Sequence, residues 1–268
     1  MTLKIKLRFP VEIKELIYLF LKFENVINLS NYISKKKFDK QRFNWNYAAS
    51  NGHLDIVKFL HMFRIQGCNI SEPKATTLEM GLAASKGHLD IVIFLHQFRT
   101  EGCTKSAMDY AAGNGHLDIV VFLCQFRTEG CTTNAMNYAA EYGHLDIVIF
   151  LHQFRTEGCT VDAMNDAAEN GHLVIVVFLH LFRTEGCSTW AMDCAAEHGH
   201  LDIVVFLHQF RTEGCTDDAM DYAAENDHLD IVVFLHTFRV QGCTKYTIDW
   251  AAYNGHLEIV EFLKNNVI

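Results

Sequence analysis

Proline is almost missing from this 268-residue chain, which holds two, Pro10 and Pro73. With half of the residues hydrophobic, that excludes proline-rich linkers and long disordered tracts. Long apolar runs are missing too. The best candidate, residues 13–29, is interrupted by Lys14, Glu15, Lys22 and Glu24, so it reads as neither a signal-sequence core nor a membrane span. Positive charge is scarce, with 23 Lys and Arg against 32 Asp and Glu and a net charge of −9. Residues 1–44 carry a local +6, which leaves −15 for the rest. The one basic run, Lys35, Lys36, Lys37, Lys40 and Arg42, is too short to make the phosphate-neutralising stripe of a nucleic-acid binder. HExxH, GxSxG, a glycine-rich phosphate loop and CxxC are all absent, so no enzymatic class and no cofactor are expected.

What the chain has is repetition. A GHLDIV-like stretch returns seven times at a spacing of 28 residues, on His88, His116, His144, His172, His200, His228 and His256, and His53 precedes the first by 35. A fixed period of this length predicts a stack of identical supersecondary units, each touching only its neighbours. Residues 44–268 are assigned to that repeat region, and residues 1–43 to a separate amino-terminal segment.

One unit, residues 104–131, reads TKSAMDYAAGNGHLDIVVFLCQFRTEGC. Thr104 is an N-cap candidate, and its slot holds Thr76, Thr132, Thr160, Ser188, Thr216 and Thr244 elsewhere. Helix A is expected over about 105–114, closed by a left-handed Gly115. Helix B then begins near Leu117. Asp118 suits the start of helix B, Arg127 is placed in its last turn against the negative end of the dipole, and Val174 is the one break in the acidic series. Leu117, Ile119, Val120, Val121, Phe122, Leu123 and Phe126 make helix B apolar nearly all round, which predicts burial between neighbours. Lys58 at the first unit, and Glu261 and Lys264 at the last, put polar groups where the stack ends. The fold class is therefore all-α, an α-solenoid of stacked antiparallel helix hairpins with about eight repeats.

Seven of the nine cysteines, Cys68, Cys103, Cys131, Cys159, Cys187, Cys215 and Cys243, occur once per unit. Packed helices lie about 8–10 Å apart, beyond the roughly 7 Å that a disulfide bridges. Free, buried thiols and no cleavable signal sequence point to a reducing compartment, cytoplasmic or nuclear. Metal binding is not expected: the His116 series and the His61, His96, His152, His180, His208 and His236 series are spread along the stack, whereas zinc needs three or four ligands at one point.

The unit NYAAEYGHLDIVIFL, Asn137 to Leu151, resembles the helical core of an ankyrin repeat, and the resemblance covers about residues 44–268. It departs in length, since the usual unit is about 33 residues, and it lacks the turn and TPLH-like start. The resemblance implies a compact variant without projecting fingers, with one excursion surviving around Pro73. It implies a non-enzymatic binding scaffold whose helix A lines the concave side.

Slots that stay fixed among repeats serve the stack, and slots that vary are free for recognition. Met108, Ala111 and Ala112 are nearly fixed, while the slots of Ser106, Tyr110 and Gly113 vary and share another helix face. In later units that face reads Asn134, Tyr138, Glu141; Asp162, Asp166, Glu169; Trp190, Cys194, Glu197; Asp218, Tyr222, Glu225; and Tyr246, Trp250, Tyr253. This acidic and aromatic stripe is the candidate partner-binding surface, for a protein with a basic or apolar segment. Packing of Tyr110, Tyr138, Tyr222 and Trp250 between hairpins stays open as an alternative for the middle slot. A second fixed series, Asp109, Asn137, Asn165, Asp193, Asp221 and Asp249, places Asp or Asn in mid-helix and predicts a hydrogen bond to the backbone of the neighbouring unit.

Residues 9–38 stand outside the repeat and read as short amphipathic helices. The order Phe9-Pro10, Ile13, Ile17, Phe20-Leu21, Val26, Leu29, Ile33 looks like a degenerate F-box. That resemblance implies docking to a Skp-type adaptor of a cullin-type ubiquitin ligase, and the competing reading is a helical cap over Trp45 and the first hairpin.

Overall fold

A computed structural model describes residues 44–65, 76–238 and 244–266. The amino-terminal segment, with its cap and F-box-like readings, and the Pro73 excursion lie outside the described residues. Among those described there are sixteen helices and no strand. In chain order they are α1 (Trp45–Ser50), α2 (Leu54–Ile65), α3 (Leu78–Ser85), α4 (Leu89–Phe98), α5 (Ser106–Gly113), α6 (Leu117–Phe126), α7 (Asn134–Glu141) and α8 (Leu145–Phe154). They continue as α9 (Asp162–Glu169), α10 (Leu173–Phe182), α11 (Trp190–Glu197), α12 (Leu201–Phe210), α13 (Asp218–Glu225), α14 (Leu229–Phe238), α15 (Lys245–Asn254) and α16 (Leu257–Asn266). Odd-numbered helices are helix A of each hairpin and even-numbered ones helix B.

The chain divides into two compact units between Met108 and Asp109. In the first, α1 packs on α2 and α3, and α3 on α4. In the second, each A helix from α7 onward packs on its own B helix and on the next A helix, while successive B helices meet less extensively. The architecture is all-α, an α-solenoid of stacked hairpins.

The hairpin core follows from residue size. Met136, Ala139 and Ala140 on α7, and Ile147, Val148 and Leu151 on α8, are almost inaccessible, and the same slots are buried in every hairpin from α9 to α14. Alanines at two of three A-helix core positions let the helices approach closely, and the branched residues of helix B fill the layer between. Cys103, Cys131, Cys159, Cys187 and Cys215 are buried thiols outside any disulfide. Burial, reinforced by Glu157 and partly opposed by Arg155, pushes the Cys131 thiol up to about 12, so it stays protonated.

Both turns of the unit rest on glycine. Gly171, between α9 and α10, has φ 77°, and a Cβ there would lie 2.7 Å from Cε1 of His200 in the next hairpin. Gly158 has φ 74°, and a Cβ there would meet Arg183 Nη2 at 2.5 Å. Small size is therefore needed twice, for a left-handed backbone and for the side chain of the following repeat.

Two expectations fail. Arg127 is not in the last turn of helix B: its backbone is extended, with φ −123° and ψ 148°. Its guanidinium turns onto Glu129 in the return loop, Nε to Oε2 at 3.2 Å. A forked guanidinium gains more from a carboxylate two residues away than from partial carbonyl charge. Phe126 is not buried either; it is the last helical residue, no further turn covers it, and more than half of it is exposed.

Candidate functional site

The fixed Asp/Asn slot explains how the variable stripe is held. Asp193 on α11 is buried and accepts from Thr216 of the next unit, from its N–H at 2.8 Å and its hydroxyl at 3.0 Å. The Thr216 hydroxyl in turn accepts the N–H of Asp218, the first residue of α13 and an outer-stripe residue, at 3.2 Å. The relay recurs in the second unit. Asp109 holds Thr132, which accepts from Asn134 at 3.1 Å. Asn165 holds Ser188, which accepts from Trp190 at 3.3 Å. Asp221 accepts the Thr244 hydroxyl proton at 2.8 Å, and Thr244 accepts from Tyr246 at 3.0 Å. The expected bond to the neighbouring backbone is present, and the cap hydroxyl shares it. Asp249, on the last A helix, is exposed.

Asn in place of Asp changes the outermost link. Asn137 donates Nδ2–H to Thr160 Oγ1 at 2.8 Å, so the Thr160 proton is free and goes to Asp162 Oδ2, also at 2.8 Å. Where Asp193 takes the Thr216 proton, Asp218 receives no such bond from its cap. The choice between Asp and Asn in a buried slot thus sets whether a surface carboxylate is pinned.

The outer-slot residues Ser106, Asn134, Asp162, Trp190, Asp218 and Tyr246 are all exposed. In the middle slot Tyr138, Asp166 and Tyr222 are half-buried, Cys194 is buried, and Tyr110 and Trp250 are exposed. Packing between hairpins therefore holds for part of that slot and not for its ends. Tyr110 and Tyr138 lie nearly parallel, with centroids 6.2 Å apart and 4° between planes. Gly113 leaves room for this, since a Cβ there would sit 2.8 Å from Tyr138 Cβ. In the inner slot Glu141, Glu169, Glu197 and Glu225 are half-buried and Tyr253 is fully open. Tyr246 and Trp250 stack at 6.0 Å and 29°. An open cleft of about 490 Å³, lined by Glu225, Asn226, Asn254 and His256, adjoins the stripe.

The middle of the stripe is strongly negative. Burial pushes the Asp166 carboxyl up to about 6, and Glu141, Asp162 and Glu169 add repulsion from two adjacent A helices. Burial, with Glu169 and Glu197, also pushes the Cys194 thiol up to about 12. Such a surface is charged against itself. No group of three or more His, Cys, Asp or Glu placed to hold a metal ion occurs among the described residues. No helix among them is long and apolar enough to cross a membrane.

The histidines serve the stack. His200 Nε2 donates to Glu169 O at 3.1 Å, His228 to Glu197 O at 3.0 Å and His256 to Glu225 O at 2.8 Å, each capping a carbonyl of the preceding A helix. His152, His180 and His208 set their rings edge-on to Phe178, Phe206 and Phe234 of the next B helix. Sequence reasoning missed the exposed phenylalanines that end the B helices. Their only sequence signal is position, beside an Arg that leaves the helix.

Comparison with protein families gives two matches: Ankyrin repeats (3 copies) over residues 45–137, and Ankyrin repeats (many copies) over residues 192–236 and 220–263. Together they cover more than half of the chain. No curated protein matches it.

Proposed function

This chain belongs to the ankyrin-repeat family, whose repeats are protein–protein interaction modules, and from that premise we propose that it is a non-enzymatic scaffold binding a protein along the helix-A stripe. The partner chemistry that fits is a basic segment carrying apolar residues. Asp162, Asp166, Asp218 and the inner-slot glutamates supply the field, and Trp190, Tyr222, Tyr246 and Trp250 supply contact area. One observation carries the reading: every outer-slot side chain is exposed on a backbone anchored by a hydrogen-bond relay from a buried Asp or Asn of the preceding repeat. A surface anchored this way loses little entropy when a partner binds.

Asp166 gives the stripe a response to its ligand. A cation beside it favours the ionised form, so binding draws a proton off the carboxyl and strengthens from pH 5 to pH 7. A polyanion is repelled, which argues against nucleic acid. Buried cysteines outside any disulfide fit a cytoplasmic or nuclear location.

The test is titration of the full chain with a peptide of alternating Lys and Leu, read by tryptophan fluorescence. Binding is expected to weaken with salt and to be lost in Asp162→Lys/Asp166→Lys/Asp218→Lys. Unchanged affinity in that variant removes the stripe assignment. The Phe9 to Ile33 pattern supports a second reading, in which the repeats hold a client for a cullin-type ubiquitin ligase. Direct binding to a Skp-type adaptor decides it, and no binding at micromolar concentration ends it.

A further inference from the structure

The last A helix changes the chemistry of the stripe. On α15 all three slots are aromatic, Tyr246, Trp250 and Tyr253, where α13 carries Asp218, Tyr222 and Glu225. Tyr246 is 50% exposed, Trp250 37% and Tyr253 90%. The repeat also sets a carboxylate beside these rings. From α7 onward the inner-slot glutamate of one A helix acts on the middle slot of the next. Behind burial, Glu141 pushes the Asp166 carboxyl up and Glu169 pushes the Cys194 thiol up. Behind Asp218 and burial, Glu197 does the same to the Tyr222 phenol. The next member of that series is Glu225 on α13, and the middle slot it meets is Trp250. The two helices pack together, and Glu225 O accepts from Asn254 Nδ2 at 3.1 Å at their shared end.

The first unit shows what a tryptophan and a carboxylate hold between them in this chain. Arg99 lies over the Trp45 ring, its Cζ 5.0 Å from the centroid, while its Nε donates to Glu101 Oε2 at 3.1 Å. A planar guanidinium stacks on a ring and pairs with a carboxylate at the same time, whereas the ammonium of lysine is a point charge with no face to stack.

We propose that Trp250 and Glu225 form an anchor for one arginine side chain of the partner, at the α15 end of the stripe. The anchor rests on the stripe reading and adds to it a residue type and a place. Charge complementarity selects the occupant. Asp218 and Glu225 stand on the helix face that adjoins the rings, so an uncharged side chain laid over Trp250 would take carboxylates out of water with nothing to pair them. A guanidinium gains from ring and carboxylate together. Tyr246, stacked on Trp250 at 6.0 Å, holds the indole in place, and Tyr253 one turn further on widens the aromatic surface.

Isothermal titration calorimetry of the full chain with two peptides tests this, one of alternating Lys and Leu and one of alternating Arg and Leu. The wild type is expected to bind the arginine peptide about five-fold tighter. In Trp250→Leu, and separately in Glu225→Gln, that preference falls to under about two-fold, while Trp250→Leu keeps its affinity for the lysine peptide within about two-fold. Glu225→Gln preserves the side-chain shape and the two hydrogen bonds at its main-chain carbonyl, so it reads the carboxylate even where Trp250→Leu disturbs the helix. Equal binding of the two peptides by the wild type overturns the anchor, as does an arginine preference that survives both substitutions. Either result leaves the stripe standing. Failure of the stripe reads differently, as unchanged affinity of both peptides in Asp162→Lys/Asp166→Lys/Asp218→Lys, and it removes the anchor as well.

Discussion

Gly171→Ala probes the contact that fixes one hairpin against the next. Gly171 has φ 77°, where a non-glycine residue costs about 1–2 kcal/mol. Its new Cβ would lie 2.7 Å from His200 Cε1 and 3.0 Å from Nε2, too close to coexist, so the imidazole must move. Moving it weakens the His200 Nε2–H bond to Glu169 O at 3.1 Å, a loss of up to about 1 kcal/mol. The two effects add to about 2–3 kcal/mol, to be read as a lowered urea midpoint at unchanged slope. The chain carries its own control. Asp227 occupies the same slot two repeats on, with φ 66°, and keeps its histidine: His256 still reaches Glu225 O, and its Nδ1 lies 3.3 Å from Asp227 Oδ1. Asp227→Gly therefore relieves a left-handed residue at the loss of one exposed pair, and is expected to leave stability level or raise it by up to about 1 kcal/mol. Gly171→Ala within about 0.5 kcal/mol of the wild type, or Asp227→Gly as damaging as Gly171→Ala, would refute the reasoning.

Two further outcomes are expected. Asp193→Ala strips two hydrogen bonds from Thr216 and should cost about 3 kcal/mol, whereas Asp193→Asn should cost under about 1 kcal/mol because Asn165 already makes the equivalent contacts with Ser188; thermal denaturation of both variants checks the contrast. Asp166, with its carboxyl at about 6 in the folded chain, binds more protons folded than unfolded between about pH 4 and 6, so wild-type stability falls as pH rises through that window. Asp166→Asn should then be more stable than the wild type by about 1–2 kcal/mol at pH 7.5, after screening, and equal to it near pH 3.5; urea titration at the two pH values reads the difference.

Much of the unit was legible in the order of residues. The 28-residue return gave the hairpins, Thr104-type hydroxyls and Gly115-type turns gave their ends, and mid-helix Asp or Asn demanded a partner in the next repeat. Asn134, Asp162, Trp190, Asp218 and Tyr246 stand out as surface residues because they vary where Met136 and Ala139 do not. The inference fails in reverse at Phe126 and its sisters, which recur in every B helix from α4 to α14 and are open there. Invariance marks a slot that duplication has copied, and copying does not tell whether anything lies over it.

Local sequence determined which residues share a face, because helix period, capping and left-handed turns act within a few residues. The tertiary structure decided how deep each face lies and which groups from different repeats meet. Residues 23 to 31 positions apart make Asp193 a support for Asp218 through Thr216, and His200 a cap for Glu169. The same distance between contributors puts Glu141 beside Asp166 and raises its carboxyl. Burial and charge coupling depend on the sum over neighbours from other hairpins, so they exist only once the hairpins are stacked.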